Sequence, residues 1–238
     1  MLSVNPDLTI VDLVHDVPPQ DVLSGALALE AAFGYFPANT IHVAVVDPGV
    51  GSRRRAVAAE ARGHLFVGPD NGLLSLALGA AGGGRAVVLE KAEFFRDPVS
   101  ATFHGRDVFA PVAGHLSLGV PLARLGRAAG GLRAVAVKKP RRLGPRRLSG
   151  EVIAVDRFGN LVTNVDGEAI RAVFGTHAVR DVRIAGRSLG PPVRTYAAIP
   201  KNGLGALSGS TGRLEVAARD GSAADLLLAR RGTRVDLS

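Results

Sequence analysis

Apolar residues in the first half of the chain fall into short β-branched runs and longer stretches with helical spacing. The run 41–46, IHVAVV, has the composition of a strand that is buried on both faces. A second strand is predicted at 8–14, and a helix that Asp21 caps is predicted over about 22–36. Residues 57–67 predict a hairpin. Together these elements predict an α/β domain with a mainly parallel sheet.

The pattern changes in the second half of the chain, where short apolar runs are separated by closely spaced turns. Such runs predict a small β-barrel or sandwich, with strands at 150–156, 161–165, 182–184, 193–198, 206–207, 214–217 and 234–237. We therefore expect an α/β N-terminal domain at 1–130 and a smaller C-terminal β-barrel domain at 149–238. The residues between them, 131–148, are rich in Gly, Pro and Arg and are interpreted as a solvated basic linker.

The composition narrows the class of protein. Of the 238 residues, 47 % are hydrophobic, which is enough for a sizeable core. The chain has no cysteine, and this excludes disulfides, thiolate metal sites and a cysteine nucleophile. No apolar run reaches the ~18–20 residues of a membrane span, and the first residues lack the features of a signal peptide. We expect a cytoplasmic protein without a membrane partner.

The net charge of +8 raises the question of a nucleic-acid partner. Six of the 29 basic residues lie within 138–147, so much of the excess is local. Aromatic residues make up only 5 % of the chain and Trp is absent, so few rings are available to stack on bases. A nucleic-acid partner is therefore not expected, although a basic nucleic-acid-binding protein that uses 138–147 stays open as an alternative.

Candidate chemistry lies where the run 41–46 ends. Asp47 follows this run, in a turn that contains Pro48 and two glycines, and three arginines occupy 53–55. A carboxylate at the carboxyl end of a buried strand, beside cations, is the arrangement that α/β sheets use for binding crevices. An ordinary turn with solvated arginines explains the same residues equally well.

A second candidate stretch is 98–114, PVSATFHGRDVFAPVAG. It places His104, Arg106 and Asp107 in one loop before a predicted helix. A single histidine at a helix entrance is usually a cap or a surface group. The arginine and the aspartate within three residues favour a functional role for His104, but they do not place it near Asp47.

Five segments in order resemble one family: VVDPGVGSRRR, GPDNG, TFHGRDVFAP, DRFGNLVTN and STGRLEVA. They are similar to the S-adenosylmethionine (SAM) hydrolases, also called SAM hydroxide adenosyltransferases, which are relatives of the fluorinase and the chlorinase. The resemblance implies an α/β N-terminal domain, a C-terminal β-barrel, and hydrolysis of SAM to adenosine and L-methionine without a metal or other cofactor. It also implies a homotrimer whose sites lie between the N-terminal domain of one subunit and the C-terminal domain of the next.

The resemblance places the family's catalytic set on Asp47, Arg54 and His104. Asp47 and His104 stand where the halogenating relatives have tyrosines, and Gly105 stands where they have a serine, so the water-using branch is implied. In that reaction water is held in line with the C–S bond, and Asp47 accepts its proton while His104 assists. Arg54 would hold the carboxylate by charge-assisted hydrogen bonds.

The resemblance also implies which residues bind the substrate. Asp156 matches the carboxylate that holds the methionine ammonium group, and Phe158 with Asn160 matches the pair that contacts adenine. Ser210 matches a serine at the methionine end, and Gln20 a position beside the ribose. The full candidate set is Gln20, Thr102, Phe103, Asp156, Phe158, Asn160 and Ser210.

One departure from the family concerns the start of the chain. Relatives open with a strand, an Asp-Phe-Gly turn and a helix before the position that corresponds to Met1. If this first strand is lacking, we expect weaker substrate binding or lower stability. Two alternatives within the superfamily therefore stay open: a SAM-dependent halogenase, and an inactive relative that binds SAM or adenosine.

Overall fold

The computed structural model describes residues 1–238, which divide into two compact units, Met1–Val135 and Ala136–Ser238. The helices are α1 (Val22–Phe33), α2 (Ser75–Ala80), α3 (Ala110–Ser117), α4 (Gly167–Phe174) and α5 (Ala223–Leu227). The strands are β1 (Ile41–Val43), β2 (Ala56–Ala61), β3 (His64–Pro69), β4 (Arg85–Val88), β5 (Arg141–Gly144), β6 (Arg147–Val155), β7 (Leu161–Asp166), β8 (Val182–Ile184), β9 (Arg187–Ser188), β10 (Leu204–Ser208), β11 (Arg213–Ala218) and β12 (Arg234–Leu237). No helix combines the length and the apolar character that crossing a membrane would require.

The first unit contains a four-stranded mixed sheet in the order β1-β3-β2-β4. Only β1 and β3 pair in parallel, while β2 is antiparallel to both β3 and β4. The prediction of a mainly parallel sheet is therefore wrong. β2 and β3 are antiparallel because the turn at Arg62 and Gly63 joins them, and these two residues have φ values of 50° and 75°. A two-residue turn with positive φ at both positions joins antiparallel neighbours, whereas a parallel pair needs a long crossover.

The strand that was predicted at 8–14 does not form. The side chains of Ile10, Val11 and Leu13 are 46 %, 59 % and 48 % exposed. A β-branched apolar run forms a strand only where a neighbouring strand shares its backbone hydrogen bonds. The predicted cap of α1 is confirmed, because the Asp21 carboxylate accepts a hydrogen bond from the backbone N–H of Ser24 at 3.1 Å.

Both faces of the four-stranded sheet are covered. Ala58 on β2 packs with Phe109 and other residues around α3, whereas its neighbours Val57 and Ala59 pack with Leu29 of α1 and the adjoining core. Successive residues of a strand point to opposite faces, so β2 contributes to both cores. The loop after β1 and the loop before α3 carry Asp47 and His104.

The second unit contains an eight-stranded antiparallel sheet in the order β10-β11-β7-β6-β12-β8-β9, with β5 paired to β6. The two ends of this order, β10 and β9, do not pair with each other. The sheet is thus a curled half-barrel, and the predicted closed β-barrel is corrected accordingly. The strand predicted at 193–198 does not supply the missing closure. That segment makes a single bridge, from Val193 to Leu207, and then turns through the 3₁₀ helix Tyr196–Ala198.

Two further segments of the second unit differ from the predicted pattern. Part of the segment 131–148 is strand, because β5 and the start of β6 form a hairpin in which Arg142 pairs with Leu148. Helix α4 was not predicted from the sequence. It begins after Asp166, whose carboxylate accepts a hydrogen bond from the N–H of Ala169 at 2.7 Å.

Candidate active site

Asp47, Arg54 and His104 form one hydrogen-bonded group in the first unit. The Arg54 Nε donates to both Asp47 carboxylate oxygens, at 2.9 and 3.0 Å, and Nη2 also donates to Oδ2. The same Nη2 lies 2.8 Å from His104 Nδ1. The side chains of Arg54 and Asp47 are only 6 % and 5 % exposed. The interpretation of this stretch as a turn with solvated arginines therefore does not hold for Arg54.

The contact with Arg54 determines the protonation state of the His104 ring. A guanidinium group has only donors, so Nδ1 must accept, and the neutral ring carries its proton on Nε2. Burial lowers the pKa of His104, and the positive charge of Arg54 lowers it further, while Asp47 and Asp107 act in the opposite direction. His104 is consequently a neutral imidazole at pH 7 whose Nε2–H is available as a donor.

The loop 47–54 and the loop before α3 touch at Gly51. This residue has φ +74°, and a Cβ atom at its position would lie 2.5 Å from the carbonyl oxygen of Ala101. Only glycine fits such a close approach of two backbones. Within the loop, the Ser52 hydroxyl donates to the Gly49 carbonyl at 2.6 Å and accepts from the Arg54 N–H at 3.2 Å. These contacts fix the loop that carries Asp47.

A single π-helical turn, Gly105–Phe109, follows His104. Such turns occur often at functional sites. The Asp107 side chain in this turn is fully buried and accepts hydrogen bonds from the Arg106 guanidinium at 2.6 and 2.8 Å and from the Ser100 N–H at 2.9 Å. These bonds, led by that from Arg106, lower the pKa of Asp107 to about 2. The carboxylate thus stays charged and anchors the loop that presents His104.

The other predicted residues of the first unit are exposed. The Phe103 ring is 54 % exposed and lies under the Arg106 guanidinium, 4.9 Å from it. Thr102 precedes it, and its N–H donates to the Ser100 hydroxyl at 3.3 Å. Gln20 lies in the turn before α1 with φ +66°. It makes no hydrogen bond to the Asp47–Arg54–His104 group.

Three of the four candidates in the second unit share one turn. The Asp156 carboxylate accepts from the N–H groups of Phe158 at 2.8 Å and Asn160 at 2.9 Å, and from the Asn160 amide at 2.8 Å. Asn160 is buried, whereas the Phe158 ring is 71 % exposed. Ser210 lies apart from this turn, in the exposed connection between β10 and β11.

The second unit also contains a polar pair that the sequence did not single out. The Tyr196 hydroxyl donates to the Glu215 carboxylate at 2.7 Å, and Glu215 is 7 % exposed. Burial raises the pKa of Tyr196 to about 12, together with the hydrogen bond to Glu215 and the charges of Glu215 and Asp156. The available signal was Glu215 itself, the one carboxylate within the apolar strand β11.

Comparison with known proteins identifies the family. Models of the SAM hydroxide adenosyltransferase N-terminal and C-terminal domains match residues 1–126 and 150–236. The chain belongs to the SAM hydroxide adenosyltransferase family. The resemblance of the five sequence segments is thereby confirmed.

Relatives within the family cover nearly the whole chain. A protein of Salinispora tropica named (R)-S-adenosyl-L-methionine hydrolase is 42 % identical over 99 % of this chain and 88 % of its own length. A protein of the same name from Thermus thermophilus is 43 % identical over 98 % of this chain and 89 % of its own length. A fluorinase from Nocardia brasiliensis is more distant, at 30 % identity over 74 % of this chain and 68 % of its own length.

Solved structures support the same assignment of the fold. The crystal structure of a conserved protein from Thermotoga maritima matches with a TM-score of 0.90 at 32 % identity, over 99 % of this chain and 91 % of that one. A conserved protein from Thermus thermophilus matches with a TM-score of 0.77 at 38 % identity, over 100 % of this chain and 90 % of that one. These likenesses extend over both units of the SAM hydroxide adenosyltransferase fold.

Proposed function

We propose that this SAM hydroxide adenosyltransferase hydrolyses S-adenosyl-L-methionine to adenosine and L-methionine. The observation that carries the proposal is the hydrogen-bonded group of Asp47, Arg54 and His104, which combines a carboxylate, a fixed cation and a neutral imidazole. Two relatives of more than 40 % identity are named for hydrolysis of the R epimer of SAM. The R configuration at the sulfonium is accordingly the proposed substrate form.

The reaction needs a positioned water more than a strong base. The oxygen of water attacks ribose C5′ from the side opposite the sulfonium, so the new O–C5′ bond forms as the C5′–S bond breaks. The electron pair of the broken bond goes to sulfur and leaves neutral L-methionine. One proton of the water is lost, and adenosine carries the new 5′ hydroxyl. No redox step occurs, and the proposed chemistry uses no metal or other cofactor.

The three side chains take different roles in this step. Asp47 accepts the proton that the attacking water loses. Arg54 holds the carboxylate in one orientation by charge-assisted hydrogen bonds. His104 donates its Nε2–H to one lone pair of the water oxygen. The second lone pair of that oxygen then points at C5′. Holding water at near-attack distance in this way removes a large part of the activation barrier in reactions of this type.

The proposed substrate contacts follow the resemblance to the family. Asp156 would hold the methionine ammonium group, Phe158 would stack on adenine, and Asn160 would bind the edge of the base. The exposure of Phe158, at 71 %, leaves its ring accessible for stacking on a base. The remaining proposed contacts, at the ribose, beside the reacting carbon and at the methionine end, are Gln20, Thr102, Phe103 and Ser210.

The proposal also includes a homotrimer and a cytoplasmic location. In the proposed trimer each site takes Asp47 and its partners from one subunit and the Asp156 turn from the next. This arrangement is implied by the resemblance to the family, and SAM is its proposed small-molecule partner.

The test is to incubate the purified protein with each SAM epimer in halide-free buffer made with ¹⁸O-labelled water. Adenosine that carries one ¹⁸O at C5′, formed with equimolar methionine and faster from the R epimer, is the expected result. A halogenated adenosine on addition of chloride or fluoride would favour the halogenase alternative. Binding of SAM without turnover of either epimer would contradict the hydrolase proposal.

A further inference from the structure

The loop that carries Asp47 and Arg54 is fastened at its first end by Asn71. Asn71 follows β3, and its side-chain Nδ2 donates to the carbonyl oxygen of Val46 at 2.8 Å. Val46 is the residue directly before Asp47. The Asn71 Oδ1 accepts the N–H of Leu73 at 3.1 Å, which fixes the orientation of the amide. The backbone leading into Asp47 is therefore bound to the end of β3.

The other end of the same loop is fastened by the preceding residue, Asp70. Its Oδ2 accepts from Arg55 Nε at 2.8 Å and Nη2 at 2.5 Å, and its N–H donates to the Arg55 carbonyl at 2.9 Å. Arg55 directly follows Arg54. The Asp70 side chain is 3 % exposed, and its Oδ1 accepts the N–H of Arg133 at 2.7 Å. A carboxylate held by this many donors keeps one position.

We infer that Asp70 and Asn71 are positioning residues of the active site. These two consecutive residues follow β3 and bind the residues on either side of the loop 47–54, Val46 and Arg55. In this way they set the distance between Asp47 and Arg54. Neither residue contacts the Asp47–Arg54–His104 group directly, so they act through the backbone on either side of it. This inference deepens the proposed function and rests on it for the part that concerns turnover.

Displacement of the loop by about 1 Å is enough to reduce turnover by about 10²-fold when reacting groups must be aligned. Substrate affinity depends on other contacts, so KM should change little. The third member of the group provides an independent measure of position. The loop carries both Arg54, which lowers the pKa of His104, and Asp47, which raises it, so a loop that shifts relative to His104 changes this pKa.

The first test variant is Asn71→Asp, which keeps the size of the side chain and removes the donor to Val46. Asn71→Ser is the second, in case the added charge prevents folding. We expect kcat to fall about 10²-fold with KM within about twofold of wild type. NMR titration of the His104 ring in Asn71→Ser, which adds no charge, should show a pKa that differs from that of wild type, whether or not SAM is the substrate.

The matched control is Asn164→Asp in the second unit. The Asn164 Nδ2 also donates to a backbone carbonyl, that of Lys138 at 2.7 Å, and its Oδ1 also accepts a backbone N–H, that of Glu151 at 2.8 Å. Its replacement makes the same chemical change outside the loop 47–54. The control should leave kcat and the His104 titration unchanged, even where it lowers stability.

The outcomes separate the inference from the proposed function. A changed His104 pKa in Asn71→Ser, in a protein that does not hydrolyse SAM, would uphold the positioning role and overturn the proposed function. An unchanged titration together with an unchanged kcat would overturn the positioning role. The same conclusion would follow if KM alone rose, or if the control lost as much kcat as the test variants.

Discussion

At the scale of single residues, Arg54 connects the components of the site. Its guanidinium binds both oxygens of Asp47, contacts His104 Nδ1, and lies 5.3 Å from the centre of the Phe109 ring. The two neighbouring arginines differ from it, because Arg53 is exposed and Arg55 binds elsewhere. Position within the run of three arginines therefore decides which one serves the site.

Replacement of Asp47 tests its role as proton acceptor. In Asp47→Asn the side chain keeps its size, but an amide accepts a proton far more weakly than a carboxylate. We expect kcat for SAM hydrolysis to fall by at least about 10²-fold. The control is Glu60→Gln, which alters an exposed carboxylate–arginine pair with Arg85. If Asp47→Asn hydrolyses SAM at the wild-type rate, another group accepts the proton.

The protonation state of His104 predicts the pH dependence of turnover. Its pKa lies below the ordinary histidine value, which is about 6.5. As the pH falls through the lowered pKa, a proton on Nδ1 removes the acceptor for Arg54 and breaks the group apart. We expect kcat to stay level from pH 8 to about 6.5 and to fall only below it.

A His104→Gln variant provides the comparison for this profile. Its kcat should be lower than that of wild type at every pH. It should also lack the decrease in kcat at low pH that protonation of His104 causes, as measured from initial rates between pH 5 and 8. A wild-type profile that falls with a midpoint above about 6.5 would disprove the assignment of a lowered pKa.

At the scale of elements, β1 and β3 share a buried histidine pair. His42 Nε2 lies 3.2 Å from His64 Nδ1, and the pair is enclosed by Phe33, Phe36 and Phe66. Burial lowers the pKa of His42 to about 4, and the neighbouring His64 contributes. His42 therefore accepts a proton less readily in the folded protein than in the unfolded chain.

This pair predicts that acid weakens the first unit. Between about pH 6.5 and 4 the unfolded chain binds a proton at His42 that the folded chain does not. The free energy of unfolding therefore decreases as the pH is lowered through this range. Urea unfolding at pH 7.5 and at pH 5 gives the free energy of unfolding at each pH. The decrease between the two should be larger in wild type than in His42→Phe, by up to about 2 kcal/mol. The exposed His177 supplies the control, His177→Phe, which should keep the wild-type loss. Equal losses in all three proteins would contradict the prediction.

Local patterns predicted elements where the deciding contacts are close in sequence. The hairpin of β2 and β3 follows from its turn, and α1 from its cap at Asp21. The segment 8–14 has the same kind of apolar pattern but no partner strand, and no local signal distinguishes the two cases. The antiparallel pairing of β2 with β4 and the open ends of the second sheet were not predicted, because both depend on segments that are distant in the sequence.

The site was predictable only in part for a related reason. The residues themselves indicated Asp47 and His104 as separate candidates 57 positions apart. Their proximity, and the choice of Arg54, came from the resemblance to the family. The pairs Asp70–Asn71 and Tyr196–Glu215 went unassigned because their importance depends on what they contact in three dimensions.

At the scale of the whole molecule, the proposed trimer makes a prediction about mixtures. Asp47→Asn inactivates the group in the first unit, and Asp156→Ala removes a proposed substrate contact in the second. If each site uses both units from different subunits, co-expressed variants form some sites with neither change. We expect about a quarter of the wild-type rate from a random one-to-one mixture, with the oligomer confirmed by light scattering.

A second mixture controls for this result. Asp47→Asn co-expressed with His104→Gln places both changes in the first unit, so no arrangement of subunits yields an unaltered site. That mixture should stay inactive. Inactivity of the first mixture as well, in an oligomer shown to contain both variants, would mean that each site is completed within one chain.

The backbone contact at Gly51 has a genetic consequence. Any missense change in a glycine codon adds at least a methyl group, and the space at this position is already taken by the Ala101 carbonyl. Every amino-acid replacement at codon 51 therefore pushes apart the segments that carry the carboxylate and the imidazole. A library of random variants selected for turnover should retain glycine at 51 while accepting many residues at the exposed Arg53, two positions further on.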